Sequence, residues 1–251
     1  MTEIVLGTPL IHLPTTTSTM DDVLELARAG SPEGVTVVAD VQTAGQGRAG
    51  RVWETSPEDA LLMSFLLRPD RPAADLVPLS LLTALAIAET VRDEYAIDAR
   101  IKWPNDVLVD GKKLCGILLR THMLPGERHP IVVIGTGINA NGVPPHVAET
   151  ATHVAAHVGW KISRDELRIG VLSHLSDIYA RFLAGDSALD WARINALLMY
   201  RGEPVTVQDG DRVIAGTVEG IGARGELFVR EASGEVRTIV AGDLTRGPRP
   251  A

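Results

Sequence analysis

The chain has 251 residues, 45% apolar and 22% charged, which is the balance of an ordinary folded domain with room for a small second unit. With 24 basic against 32 acidic residues its formal charge is −8, which argues against a broad nucleic-acid-binding face and suits instead a local basic patch for a small anionic ligand. The single cysteine, Cys115, excludes an intramolecular disulfide and fits a reducing compartment. Residues 1–13 carry Glu3, no basic cluster and no long apolar core, unlike a signal peptide. The apolar-rich stretch 76–91 is interrupted by Pro78 and Glu89 and reads as too short to cross a bilayer. A cytoplasmic protein with neither membrane nor nucleic-acid partners is expected.

Taken in order, the hydroxyl run ending in Ser18-Thr19 precedes a helical pattern that begins at Met20-Asp21-Asp22 and stops at Gly30. One hydroxyl is expected to cap that helix, with the aspartates in its first turn, and another is free to face a pocket. An apolar strand over 35–41 leads into Gln42-Thr-Ala-Gly45-Gln46-Gly47-Arg48-Ala-Gly50-Arg51-Val-Trp53, and a second strand, 61–67, returns the chain. The glycines allow positive φ and close approach of backbone to a ligand. Arg48 and Arg51 offer planar cations for phosphate or carboxylate oxygens. A long helix is expected over 75–95.

The segment Lys102-Trp103-Pro104-Asn105-Asp106 reads as a rigid turn after a strand that ends at Lys102. Asp110-Gly111 between apolar runs is a hairpin signal, with Lys113 opening the return strand. The strand over 131–138 ends in Gly135-Thr-Gly137-Ile-Asn139, where alternate glycines bare one face for a flat ligand or for close packing of a neighbour. Asn139 is placed to hold a metal-bound water or phosphate oxygen, or to cap the turn. His153 and His157 stand four apart, but Val154 occupies the place of a zincin glutamate, so no metal site is assigned. Helices are expected over 165–183 and 189–198.

After Tyr200 the pattern changes to short alternating strands with glycine turns, a small β-barrel of roughly fifty residues. Seven arginines stand against eight acids there, with no lysine or histidine, which favours a docking module over nucleic-acid binding. Residues 247–251 are expected to fray. The division is read as 1–198 and 199–251. No Walker, Rossmann or Ser-His-Asp pattern is present, and cations around an ordered loop without a nucleophile suit phosphoryl or adenylyl chemistry.

The sequence resembles the biotin–protein ligases. The resemblance rests on Ser18-Thr19, the loop Gln42–Trp53, Lys102-Trp-Pro-Asn-Asp106, Lys113-Leu-Cys-Gly116 and Gly135-Thr-Gly137-Ile-Asn139, in the family's order and spacing, and extends to the C-terminal module. It implies an α+β fold: a mixed β-sheet with helices, like the class II aminoacyl-tRNA synthetase core, plus a small SH3-like β-barrel. With so few residues before Ser18, it also implies the monofunctional form without an N-terminal DNA-binding domain. Two residues depart from the family pattern: Met20 stands where Asn is usual, and Gln46 where the loop usually has its first arginine.

The implied activity is ATP-dependent conversion of biotin to biotinyl-AMP, with Mg²⁺, and transfer to a lysine of a biotin carboxyl carrier domain. Arg48, Lys102 and Lys113 would stabilise developing charge, and Asp106 would take the proton of the carrier amine. Ser18, Thr19, Met20, Gln42, Gly45, Gln46, Gly47, Arg51, Trp53, Gly116, Gly135, Gly137 and Asn139 would bind the substrates, with Trp160 a candidate adenine platform. A monomer or weak homodimer is expected. A lipoate or octanoate transferase, or a non-catalytic biotin- or nucleotide-binding regulator, is the alternative.

Overall fold

The structure is a computed structural model and describes residues 6–247. What was expected of residues 1–5 and 248–251 lies outside the described residues.

Seven strands form one mixed sheet in the order β1-β2-β3-β7-β6-β5-β4. They are β1 (Leu10–Thr16), β2 (Thr36–Gln42), β3 (Ala60–Leu67), β4 (Arg100–Lys102), β5 (Asp106–Val109), β6 (Lys112–His122) and β7 (Ile131–Asn139). Only β1 and β2 run parallel, because α1 (Thr19–Arg28) lies between them as a crossover. The other pairs are antiparallel. The hairpin at 110–111 forms as expected, with Asp110 at φ 51° and Gly111 at φ 76°, the left-handed pair that a tight two-residue turn requires.

The central strand β3 is buried at all eight positions, which is why it reads as an uninterrupted apolar run. Side chains alternate across a strand. Leu61, Met63, Phe65 and Leu67 enter the main core with Leu82, Leu85 and Val91 of α2 (Leu79–Tyr95) and Leu167, Val171 and Leu175 of α4 (Arg164–Ala184). On the opposite face Leu66 joins Met20, Val23 and Ala27 of α1. The sheet is therefore covered on both sides. Each large apolar side chain taken from water contributes about 1.5–3 kcal/mol.

The long helix starts later than residue 75. A short 3₁₀ turn at Ala73–Asp75 precedes it, and Pro78 occupies its N-cap position. The stretch Ala73–Tyr95 is, at 23 residues, long and apolar enough to cross a bilayer by length and composition, contrary to the expectation. Its most apolar window is 72% buried inside the protein, so its hydrophobicity is explained by the core. The helices α3 (Val154–Val158) and α5 (Ala188–Leu197) complete this part.

The remaining strands, β8 (Pro204–Asp209), β9 (Arg212–Ile221), β10 (Leu227–Arg230), β11 (Val236–Ile239) and β12 (Asp243–Arg246), make a second, antiparallel sheet in the order β11-β10-β9-β8-β12. It is tied to the first at defined points. Trp103 Nε1 donates to the Gly225 carbonyl at 2.9 Å. The Asn195 amide donates to the Ile221 carbonyl at 3.0 Å and accepts from its N–H at 2.8 Å. Trp103 is among the largest fully buried side chains, so Trp103→Phe strands the Gly225 carbonyl in an apolar setting. We expect a loss of about 1–3 kcal/mol, read as a lower urea midpoint at unchanged m.

Candidate active site

Along β7 the side chains on the α1 face shrink. Ile131 and Val133 pack under α1, and then come Gly135 and Gly137. Gly135 lies opposite Ser64 on β3 and Leu118 on β6, and Gly137 opposite Leu62 and Gly116. The missing side chains are required by neighbours. A Cβ on Gly137 would meet the Trp53 indole at 2.4 Å, one on Gly135 would meet Met20 Cγ at 2.7 Å, and one on Gly116 would meet Trp53 and Lys113 at 3.0 Å. The bared face is thus walled by Met20 and Trp53 of the chain itself. Above it lies a cavity of about 560 Å³, within the range of small-molecule sites.

One end of the cavity is polar. Gln42 Oε1 accepts from the Thr19 N–H at 2.8 Å and from the Thr19 hydroxyl at 3.0 Å, and Ser64 Oγ lies 2.7 Å from Thr19 Oγ1. The capping expectation fails here. Ser18 holds the N-cap position of α1 but makes no side-chain cap bond, and the Thr19 hydroxyl is taken by Gln42 and Ser64. Both hydroxyls line the cavity.

The loop after β2 is more ordered than its composition suggests. Gly47 N–H donates to the Arg51 carbonyl at 2.7 Å and Trp53 N–H to the Gly45 carbonyl at 2.9 Å, so the segment folds back on itself around a 3₁₀ turn at Arg48–Gly50. Positive φ falls at Ala49 and Gly50, not at Gly45 or Gly47. Gly45 is needed because a Cβ there would sit 2.3 Å from the Trp53 carbonyl oxygen. Gln46 reaches Asp21 of α1 with Nε2 at 3.3 Å.

Four cations surround the other end. Lys102 closes β4. Lys113 on β6 has Nζ 2.8 Å from Asp106 Oδ1 and 5.6 Å from the Trp53 ring centre. Arg48 donates to Asn105 Oδ1 at 3.0 Å and to the Gly242 carbonyl at 3.3 Å. Asp243 on β12 lies 3.7 Å from Arg48 and 3.4 Å from Arg51. Asn105 is a pivot, since its Nδ2 also donates to the Ile117 carbonyl at 2.6 Å. Asn139 is a tie rather than a free ligand: its Nδ2 donates to the carbonyls of Thr152 at 3.0 Å and Lys113 at 3.3 Å. That bond holds Lys113 against residues 150–152, of which Thr150 and Ala151, with Pro144, His146 and Val147, form the far wall.

The cavity wall includes every residue singled out from the sequence for catalysis or binding except Gly45, which acts through the loop backbone, and Trp160. Trp160 is exposed and is not part of the wall, so it is no platform for a base. His153 caps α3, accepting from Ala156 N–H at 3.2 Å, and His157 Nε2 lies 2.9 Å from Thr152 Oγ1, so both have structural work. Cys115 points into the α2-side core, where burial pushes its thiol pKa far up and makes it a poor nucleophile. Sequence reasoning missed Ser64, Asn105 as a positioning group, and Asp243. Ser64 had one visible signal, a lone polar residue in an apolar strand. Asp243 had none.

Comparison with known proteins agrees with this geometry. Residues 13–139 match the model of the biotin/lipoate A/B protein ligase family, and residues 201–244 match the biotin protein ligase C-terminal domain. The biotin–[acetyl-CoA-carboxylase] ligase of Mycobacterium tuberculosis is 31% identical, over 91% of this chain and 85% of its own length. That of Paracoccus denitrificans is 33% identical, over 88% and 94%. The bifunctional ligase/repressor BirA of Bacillus subtilis is 41% identical over 68% of this chain, which spans 52% of that relative. Among solved structures, the biotin protein ligase from Aquifex aeolicus in complex with biotin and ATP superimposes with a TM-score of 0.83, at 29% identity, covering 95% of this chain and 99% of that one. With a family model across half its length and relatives of this similarity along most of it, the chain belongs to the biotin/lipoate A/B protein ligase family.

Proposed function

We propose that the protein activates biotin with ATP and transfers it to a lysine of a biotin carboxyl carrier domain. The observation that carries this reading is a single cavity that joins a polar, hydroxyl-and-amide end to a four-cation end across a glycine floor. The ring head of biotin fits the Ser18–Thr19–Gln42 end, and its thiophane and valeryl chain fit the surface between Met20 and Trp53. Its carboxylate then reaches the cations. There a carboxylate oxygen attacks the α-phosphorus of ATP, the bond to the β-phosphate oxygen breaks, and pyrophosphate leaves.

Negative charge accumulates on the non-bridging oxygens during that step. Arg48, Lys102 and Lys113 stabilise it, and Arg51 and the amides of the folded loop bind phosphate oxygens. Of the three carboxylates lining the cavity, Asp106 and Asp243 are each paired with a cation and Glu54 lies 3.4 Å from His146, which is a poor cradle for a resident hard metal that needs free oxygens. Mg²⁺ is therefore assigned to the ATP triphosphate, as part of the substrate. The wall made by Pro144, Val147 and Ala151 takes the adenine. In transfer, the carrier amine attacks the acyl carbon and AMP leaves. A free lysine has a pKa near ~10.4, so a base is required, and Asp106 is assigned that task.

The carrier is assigned as the biotin-bearing domain of a carboxylase, the substrate named for the M. tuberculosis and P. denitrificans relatives. The same reading takes the protein as a cytoplasmic monomer or weak dimer. It divides the chain at residue 198, with the second unit supplying Asp243, Leu244 and Thr245 to the cavity wall.

Purified protein with Mg²⁺–ATP should release pyrophosphate only when biotin is present. Release driven by lipoate or octanoate would move the chain to the lipoate branch, and binding without release would make it a sensor. Lys102→Ala should lower kcat by roughly 10²–10³-fold with little change in biotin affinity, as read from steady-state kinetics and calorimetry. Gly137→Ala pushes a methyl into Trp53, and we expect weaker biotin binding with an unchanged melting temperature, because Trp53 yields toward the cavity and the core does not.

A further inference from the structure

Ser64 is fully buried in the middle of β3, and every other residue of that strand is apolar. A hydroxyl in such a place needs a partner. Its hydrogen-bond partner among the described residues is Thr19 Oγ1, at 2.7 Å. The direction of that bond follows from counting hydrogens. Gln42 Oε1 can only accept, and it already receives the Thr19 backbone N–H. The Thr19 hydroxyl, 3.0 Å from the same oxygen, must therefore spend its one hydrogen there. Ser64 is then the donor to Thr19. The chain runs from the Ser64 O–H to the Thr19 O–H to the Gln42 carbonyl.

An ordered chain of this kind fixes what the cavity offers. Both hydroxyl hydrogens are consumed within the wall, so the Thr19 oxygen keeps only acceptor capacity toward a ligand. The backbone N–H of Thr19 and its hydroxyl together hold the Gln42 carbonyl, which leaves the Gln42 NH₂ as the free group of that amide. We propose that Ser64 is a positioning residue that acts through Thr19, holding its hydroxyl in the orientation in which the oxygen accepts from a ring N–H. A cyclic urea supplies N–H donors and a carbonyl to meet the amide NH₂. A dithiolane or plain alkyl head supplies no donor and leaves the acceptor unpaired, a cost of the kind that separates close analogues most sharply. The proposal rests on the biotin reading above and adds to it the residue that holds the acceptor in place for the urea head.

The test compares Ser64→Ala and Ser64→Cys with the unsubstituted chain. The Ala variant keeps the strand and loses the donor, and the Cys variant keeps the shape with a weaker one. Dissociation constants for biotin and for desthiobiotin, which retains the urea ring, are measured by calorimetry, and kcat and the KM for ATP by pyrophosphate release. Expected is a roughly three- to ten-fold weakening of both urea ligands in Ser64→Ala. A smaller loss is expected in Ser64→Cys, with kcat, the KM for ATP and the melting temperature unmoved, and the preference for biotin over lipoate narrowed. Unchanged binding of biotin and desthiobiotin by Ser64→Ala would overturn the proposal, as would a loss shared equally by the KM for ATP. Failure of the unsubstituted chain to bind biotin would instead overturn the ligase reading, and this proposal with it.

Discussion

The site depends on three absent side chains. Gly116, Gly135 and Gly137 face the same side of the sheet on two adjacent strands, and a Cβ at any of them would collide with Met20, Trp53 or Lys113. A sheet covered on both faces ordinarily has no room for a ligand. Here the α1 face is filled only as far as Val133, while the other face of the same strands carries Ile117, Ile134 and Ile138 in the main core with the long helix. The floor can be bare on one side because it is anchored on the other. Rigidity and vacancy are supplied by alternate residues of the same strands, which the period of two makes possible.

Charge is arranged on a similar economy. Three of the four cations face carboxylates of the protein, Lys113 with Asp106 and Arg48 and Arg51 with Asp243. The exposed pairs with Asp243 are weak in water, so they neutralise the arginines without holding them against a better anion. Phosphate oxygens offer bidentate partners to the same guanidinium groups. The carboxylates thus occupy the places of an anionic ligand, and their exchange for phosphate changes little in the local charge balance. Because Asp243 belongs to the second sheet, the glycine loop and the C-terminal module are linked through the cationic end of the cavity.

Much of this was legible in the sequence, for local reasons. The hairpin at 110–111, the strand ending at Lys102 and the glycine spacing in β7 are fixed by turn chemistry and periodicity, which act over a few residues. The resemblance carried by the Lys-Trp-Pro-Asn-Asp turn and the glycine–arginine loop pointed to the family. What was misread depended on distance along the chain. One of Ser18 and Thr19 was expected to cap α1, because nothing in the sequence shows Gln42 and Ser64 competing for the Thr19 hydroxyl. Asn139 offered either a ligand group or a turn cap, and the Thr152 carbonyl that takes its amide N–H lies on a later loop. Asp243 is nearly two hundred residues from the arginines it faces, and no window on the sequence joins them.

The loop from Gln42 to Trp53 is held by an acid at each end of its turn. Gln46 donates to Asp21 in the first turn of α1, and Arg51 reaches Asp243 of β12. Gln46 is uncharged, so that end is fastened by a single hydrogen bond to a carboxylate and by no ion pair. Asp21 follows Thr19 and Met20, the residues that face the head of the cavity, and Asp243 adjoins the cationic end. The loop therefore runs between the two ends of the cavity. In the proposed reaction a ligand at the polar end meets one fastening of the loop, and one that spans both ends meets both. The adenylate is the one species in the proposed reaction that does so as a single molecule, which is the physical reason the loop should close most firmly over the intermediate that must be kept from water.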